Sequence, residues 1–152
     1  MRKFLLMMAL LVQSGFLFAQ THPKIWIRNN TGCPVYFRLG LSTAHTGAGS
    51  CIPGASSSVI SVAPFSSIDN YNYSNTPGVP TVPPGNERAF LMAFIMTGPS
   101  VCSTIGSQAI GQPCLVPFTT WTYPALNSTC GPCGTVTATW SVGGGIIFLD
   151  FT

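Results

Sequence analysis

Short apolar segments separated by glycine and proline run through most of the sequence. The chain contains 16 Gly and 13 Pro, which interrupt helices and mark turns. Between them lie stretches of β-branched and aromatic residues that are typical of the strands of a sandwich or barrel. Charged residues make up only 6% of the chain, so its surface must consist largely of Ser, Thr, Asn, Gln and Gly. We therefore predict an all-β fold, an antiparallel β-sandwich of about seven or eight short strands with disulfides.

The clearest strand pattern lies near the C-terminal end of the sequence. Residues 136–142 alternate between apolar and hydroxyl-bearing side chains, as expected for a strand with one buried face. Glycines at 143–145 permit the positive φ angles of a hairpin turn, and residues 146–151 supply a second strand. This segment predicts a β-hairpin.

The segment Ala89–Met96 consists of eight apolar residues and fits either a strand or a helix. Asn86 could cap a helix and Gly98 could end it. A helix that is apolar on every side needs burial all round, whereas a strand in a sandwich needs burial on its two faces only. We therefore predict a strand, with a helix as the alternative.

The first 19 residues have the pattern of a secretory signal peptide. Two basic residues precede a short apolar run, residues 4–12, and the small residue Ala19 stands at a suitable cleavage site. The run is too short for a transmembrane helix. We predict that residues 1–19 are a signal peptide. Residues 20–152 are then one exported β-sandwich domain without a transmembrane segment, located in the periplasm, at the cell surface or outside the cell.

Six cysteines follow the predicted signal peptide. An even number of cysteines in an exported chain predicts a disulfide framework. They are Cys33, Cys51, Cys102, Cys114, Cys130 and Cys133. Because Cys33 and Cys51 stand apart from the others in the sequence, we expect these two to pair, and the remaining four to pair among themselves.

Charge and composition weigh against several classes of function. Residues 20–152 contain four basic and three acidic residues, a net charge of 4 − 3 = +1, and no basic patch for a nucleic acid. Two histidines and three acidic residues offer little material for a catalytic triad or a pair of catalytic carboxylates. We predict a protein that is not an enzyme and has no metal or cofactor.

The segment Asp69–Pro84 has the composition of a long loop. Its first seven residues are rich in Tyr and Asn, and four prolines follow within the eight residues 77–84. Tyr, Asn and Ser are the residue types of antibody contact loops. We predict that Tyr71, Asn72 and Tyr73 contact a protein or glycan ligand. The alternative interpretation is a polar turn that leads into a proline-rich connector.

The tetrapeptide Cys130-Gly131-Pro132-Cys133 resembles the redox motif of thioredoxins. In thioredoxins the first cysteine begins a helix, which lowers the pKa of its thiol. Here a strand pattern follows Cys133, so we expect a structural cystine at a turn. A thiol–disulfide redox protein that uses Cys130 and Cys133 is the first alternative function. A purely structural role at the cell surface or outside the cell is the second.

Two further resemblances bear on the fold. The opening Ile27–Phe37, with its strand, Asn, Cys and second strand, is similar to the start of thaumatin-like proteins. That family has many more cysteines and an acidic cleft, so its glucan binding does not carry over. Residues 20–152 also resemble small exported proteins of Bacteroidota-type bacteria, which share the Gly111-Gln-Pro-Cys114 segment and a Cys-x-x-Cys before Thr-Val-Thr-Ala-Thr-Trp. That resemblance implies an exported β-sandwich and carries no established function.

Overall fold

The computed structural model describes four stretches of the chain, residues 23–45, 51–83, 85–102 and 106–152. The side chains of residues 43–45 are not described. The predicted signal peptide, residues 1–19, lies outside the described residues and stays a prediction. The described stretches contain ten strands and a short 3-10 helix, Tyr73–Asn75. The strands are β1 (Lys24–Asn29), β2 (Val35–His45), β3 (Pro53–Ser56), β4 (Ile60–Val62), β5 (Ser66–Asn72), β6 (Arg88–Met96), β7 (Ser107–Gly111), β8 (Thr120–Leu126), β9 (Pro132–Gly143) and β10 (Ile146–Phe151).

The strands form two sheets of five strands each. In the first, here called the β1 sheet, the order is β5-β1-β10-β9-β8. In the second, the β2 sheet, the order is β3-β2-β6-β7, and β4 pairs with the start of β2. Neighbouring strands are antiparallel except β1 and β10, which are parallel. The predicted all-β sandwich is confirmed, with ten strands in place of the expected seven or eight.

Apolar side chains from the inner faces of both sheets form the core. Ile25 and Ile27 of β1 are fully buried, whereas Trp26 between them lies on the outer face, as the alternation of a strand requires. Phe37 of the β2 sheet stacks on Phe151 of the β1 sheet, with ring centroids 5.7 Å apart. This contact joins the two layers across the core.

Two predictions about individual segments are confirmed. The apolar segment Ala89–Met96 forms most of β6, a strand and not a helix. The last hairpin joins β9 to β10, and Gly144 and Gly145 at its turn have φ angles of 59° and 78°. Glycine adopts these left-handed angles without the steric cost of a side chain.

Asn29 fixes the corner at which the chain passes from the β1 sheet to the β2 sheet. Its side chain is buried, and its Nδ2 donates to the carbonyl oxygens of Cys33, Val62 and Ala63 at 2.7, 3.2 and 3.0 Å. Its Oδ1 accepts hydrogen bonds from the backbone N–H and the hydroxyl of Thr31 at 3.0 and 2.7 Å. One amide side chain therefore supplies the partners that the backbone of this corner needs.

All six cysteines are in disulfides, as predicted. The bridges are Cys33–Cys133, Cys51–Cys114 and Cys102–Cys130. The expected Cys33–Cys51 bridge is wrong, as is the expectation that the other four cysteines pair only among themselves. The expected cystine between Cys130 and Cys133 is wrong as well. The reason is topological: Cys33 follows β1 and Cys133 is the second residue of β9, and only β10 lies between these two strands in the sheet.

The disulfides bear on the compartment in which the protein folds. Three bridges form and persist in an oxidising environment, so they indicate folding outside the cytoplasm. In the stretches that the structure describes, no helix has the length and apolar character needed to cross a bilayer.

Candidate functional site

The predicted contact loop begins as part of the sandwich. Tyr71 lies in β5 and is 8% exposed, and Tyr73 begins the 3-10 helix and is 2% exposed. Burial raises the pKa of the Tyr71 phenol. The predicted loop over residues 69–84 is therefore wrong for residues 69–75, which form the end of a strand and a 3-10 helix, and both tyrosine rings pack into the core. The contact of Tyr71, Asn72 and Tyr73 with a ligand stays a prediction.

Asn72, the third predicted contact residue, holds the turn that follows β5. Its Oδ1 accepts hydrogen bonds from the backbone N–H of Asn75 at 3.3 Å and from the hydroxyl of Ser74 at 2.7 Å. Its own backbone N–H donates to Oδ1 of Asn75 at 2.8 Å. Thr76 completes the turn by donating to the carbonyl oxygen of Asn72 at 2.7 Å. The amides of this segment stabilise its backbone, so its Asn and Ser content reflects turn structure.

A polar cavity of about 320 Å³ lies between this turn and the proline-rich segment. Its lining includes Tyr73, Val79 and Glu87. The Tyr73 hydroxyl donates to the carbonyl oxygen of Pro80 at 2.7 Å, which ties the proline-rich segment to the core. The phenolic hydrogen is therefore already engaged, and the cavity offers a ligand little beyond the Glu87 carboxylate and hydroxyl groups.

A larger groove of about 410 Å³ lies on the outer face of the β2 sheet. It is lined by Arg38, Ser56, Phe94, Met96, Ser100 and Ser107. Arg38 of β2 lies directly opposite Phe94 of β6, and Ser107 of β7 lies opposite Met96. Directly paired residues point to the same face of a sheet, so strand register brings a cation, an aromatic ring and a thioether together on this surface.

Small residues lie beside Phe94 on this surface. Ala109 of β7 pairs with Phe94, and Gly40 of β2 pairs with Met92. A Cβ atom at Gly40 would lie 2.7 Å from Cγ of Met92 and 3.4 Å from a ring carbon of Phe94. Glycine at position 40 therefore leaves the space that the Met92 and Phe94 side chains occupy.

Arg38 forms no ion pair with any residue that the structure describes, while the three acidic residues of the chain lie elsewhere. Asp150 binds Arg28 through two hydrogen bonds of 2.6 and 2.8 Å. That contact, with a smaller effect of Asp69, holds the pKa of Arg28 above its ordinary value. Glu87 lines the cavity beside the 3-10 helix. A negatively charged ligand would therefore meet an uncompensated guanidinium group at Arg38.

Reasoning from the sequence alone missed this groove. A signal for it exists in the segment Val35–Leu39, where Arg38 interrupts an otherwise apolar strand on the face opposite Phe37 and Leu39. The other half of the groove, around Phe94, comes from a strand about fifty residues later, and only the pairing of β2 with β6 brings the halves together.

The two cysteines of the thioredoxin-like tetrapeptide, residues 130–133, are not bonded to each other. Cys130 is bonded to Cys102 and Cys133 to Cys33, so the tetrapeptide holds no internal disulfide. In the part of the chain that the structure describes, no group of three or more His, Cys, Asp or Glu side chains is placed to hold a metal ion.

The groove combines one guanidinium, two apolar side chains and three hydroxyl groups. A planar guanidinium donates to carboxylates in a two-point geometry, and an apolar floor favours a ligand that carries its charge on an apolar body. These features are typical of a binding site and contain no nucleophile paired with a base. Comparisons of the chain with protein-family models, with curated proteins and with solved structures found no match.

Proposed function

We propose that this chain is an exported, non-enzymatic binding protein, located in the periplasm, at the cell surface or outside the cell. In this proposal, the groove around Arg38 binds a ligand that carries a carboxylate on an apolar body. The observation that carries the proposal is Arg38, which has no ion pair within the described stretches of the chain and lies directly opposite Phe94 on the outer face of a sheet. The signal-peptide pattern and the three disulfides support export.

The physical argument rests on complementary chemistry. The guanidinium of Arg38 is exposed and hydrated in the free protein, so it needs no internal counter-ion. A bound carboxylate would replace that water with charge-assisted hydrogen bonds, while Phe94 and Met96 would cover the apolar part of the ligand. The groove volume of about 410 Å³ lies within the range of small-molecule sites.

The alternatives have less support. A redox role needs a reactive pair at Cys130 and Cys133, and each of these cysteines is bonded to a distant partner. A purely structural role predicts no ligand at all, so the binding experiment below separates it from our proposal.

We expect Arg38→Gln to weaken carboxylate binding by about tenfold or more, because hydrogen bonds to a charged group contribute about 1.5–3 kcal/mol. The probes are N-acetylphenylalanine and its neutral amide, titrated by NMR into the protein with its disulfides intact. The unaltered protein should prefer the acid, and the resonances that shift should be those of Arg38, Phe94 and Met96. Arg38→Gln should abolish the preference for the acid.

Lys24→Gln is the matched control for this test. It removes the same charge from an exposed position in the β1 sheet, so a general loss of positive charge would affect both variants equally. Thermal melts of both variants should match the unaltered protein. Equal affinity for the acid and the amide would contradict the proposal, as would an Arg38→Gln variant that still prefers the acid.

A further inference from the structure

A second cleft lies where the edges of the two sheets meet. β7 is an edge strand of the β2 sheet and β8 an edge strand of the β1 sheet. Between them is a cavity of about 250 Å³. It is lined by Gln108, Phe118, Thr120, Trp121 and Thr122. It shares no lining residue with the Arg38 groove, so the two sites can be tested separately.

The cleft presents aromatic surface on a fixed backbone. Phe118 is 52% exposed although its carbonyl oxygen accepts a hydrogen bond from the N–H of Gly111 at 3.0 Å. The carbonyl oxygen of the next residue, Thr119, accepts one from the N–H of Trp140 at 2.7 Å. The backbone of Phe118 is therefore held by both sheets, and its exposed ring contributes apolar surface to the cleft.

Trp121, the second aromatic residue of the cleft, is held through its ring. Its ring stacks on that of Tyr123, with centroids 4.6 Å apart and an angle of 18° between the planes. Tyr123 is buried in the core, so it supports the indole from one side while the rest of the indole contributes to the cleft. A tryptophan ring with a restricted position gives a contact surface that loses little conformational entropy on binding.

The polar groups of the cleft are uncharged and include both donors and acceptors. Nε2 of Gln108 donates to the carbonyl oxygen of Ala109 at 3.1 Å, which orients the amide and leaves Oε1 and the second N–H for a ligand. The hydroxyl of Thr120 is exposed, and that of Thr122 shares a hydrogen bond of 2.9 Å with the hydroxyl of Thr137. A charged ligand would lose water here and find no counter-charge, so the cleft favours a neutral one.

From this arrangement we propose that the cleft between β7 and β8 binds a neutral sugar residue of an oligosaccharide. The apolar C–H face of a sugar ring packs against Phe118 and Trp121. Its hydroxyl groups, which both donate and accept hydrogen bonds, pair with the Gln108 amide and the Thr120 hydroxyl. The volume of about 250 Å³ suits one sugar ring, with the neighbouring sugars of the chain extending into solvent.

The test is a titration of the disulfide-intact protein with neutral tetrasaccharides of glucose, mannose and galactose in α and β linkage, followed by NMR. We expect at least one of them to bind and to shift the resonances of Gln108, Phe118 and Trp121. Phe118→Ala should weaken that binding by about tenfold, as loss of an aromatic contact does. Gln108→Ala should weaken it as well, because it removes the oriented amide.

Phe65→Ala is the matched control, because Phe65 is 75% exposed and does not line the cleft. It should bind the sugar with unchanged affinity, as should Arg38→Gln, which tests the other site. Failure of every tetrasaccharide to bind at millimolar concentration would overturn the proposal. Unchanged affinity in both Phe118→Ala and Gln108→Ala would overturn it too. Neither outcome bears on carboxylate binding at Arg38.

Discussion

Replacement of Cys33 and Cys133 together by Ala should lower the free energy of unfolding by about 5 kcal/mol in the chain-entropy treatment of disulfides. The bridge joins residues 100 positions apart, so it restricts the unfolded chain more than a shorter loop does. It also ties the corner after β1 to the start of β9. The measurement is equilibrium unfolding in urea, with the double variant chosen so that no free thiol remains at this bridge.

The Cys102–Cys130 bridge provides the internal comparison. It closes a loop with a sequence separation of 28 residues, so its removal should cost about 3.5 kcal/mol by the same relation. The expected order is therefore a larger loss for the Cys33→Ala/Cys133→Ala variant than for the Cys102→Ala/Cys130→Ala variant. The reverse order would show that loop length is not the main factor that sets how much each disulfide stabilises the protein.

Asn29→Ala is expected to lower the free energy of unfolding by about 3 kcal/mol, because it leaves buried backbone groups without hydrogen-bond partners. The Asn29 side chain is buried, donates to three carbonyl oxygens and accepts two hydrogen bonds from Thr31. Urea unfolding measures the loss.

Two further substitutions show whether lost hydrogen bonds cause the destabilisation expected of Asn29→Ala. Asn29→Asp keeps the shape of the side chain but replaces the donor with a carboxylate that faces carbonyl oxygens, so it should destabilise at least as much as Asn29→Ala. Asn30→Ala alters the exposed neighbouring amide and should change stability by less than about 0.5 kcal/mol. A stable Asn29→Asp variant would show that the donated hydrogen bonds do not hold the corner.

The strands with the clearest sequence pattern are buried ones. The last hairpin and β6 are buried, and buried strands carry an apolar pattern that can be recognised. The three missed strands are β3, β5 and β7, and each lies at an edge of its sheet. An edge strand is solvated along one side, so it tolerates polar residues and glycine, as Pro53–Ser56 and Ser107–Gly111 illustrate.

The disulfide pairing could not be read from spacing because nearness along the chain does not determine nearness in a sandwich. Cys130 and Cys133 are neighbours in sequence, yet each bonds a residue from another part of the fold. The same limit applies to function. Residues 69–75 have the composition of a contact surface, but a bulge in the pairing of β5 with β1, where Asn70 has a φ of 56°, places Tyr71 opposite the buried Ile25 and turns it inward. The residues that line the Arg38 groove are brought together only by strand register.

The parallel pairing of β1 with β10 also sets an order of events during folding. β1 occupies the second position of its sheet, between β5 and β10, so one of its two edges has no partner until the tenth strand has been synthesised. Until then the strands on one side of β1 in its sheet are missing. An open strand edge of this kind can pair with other chains. A chain with this topology therefore benefits from being kept unfolded until β10 has been synthesised, and premature folding of its first strands exposes it to pairing with other chains.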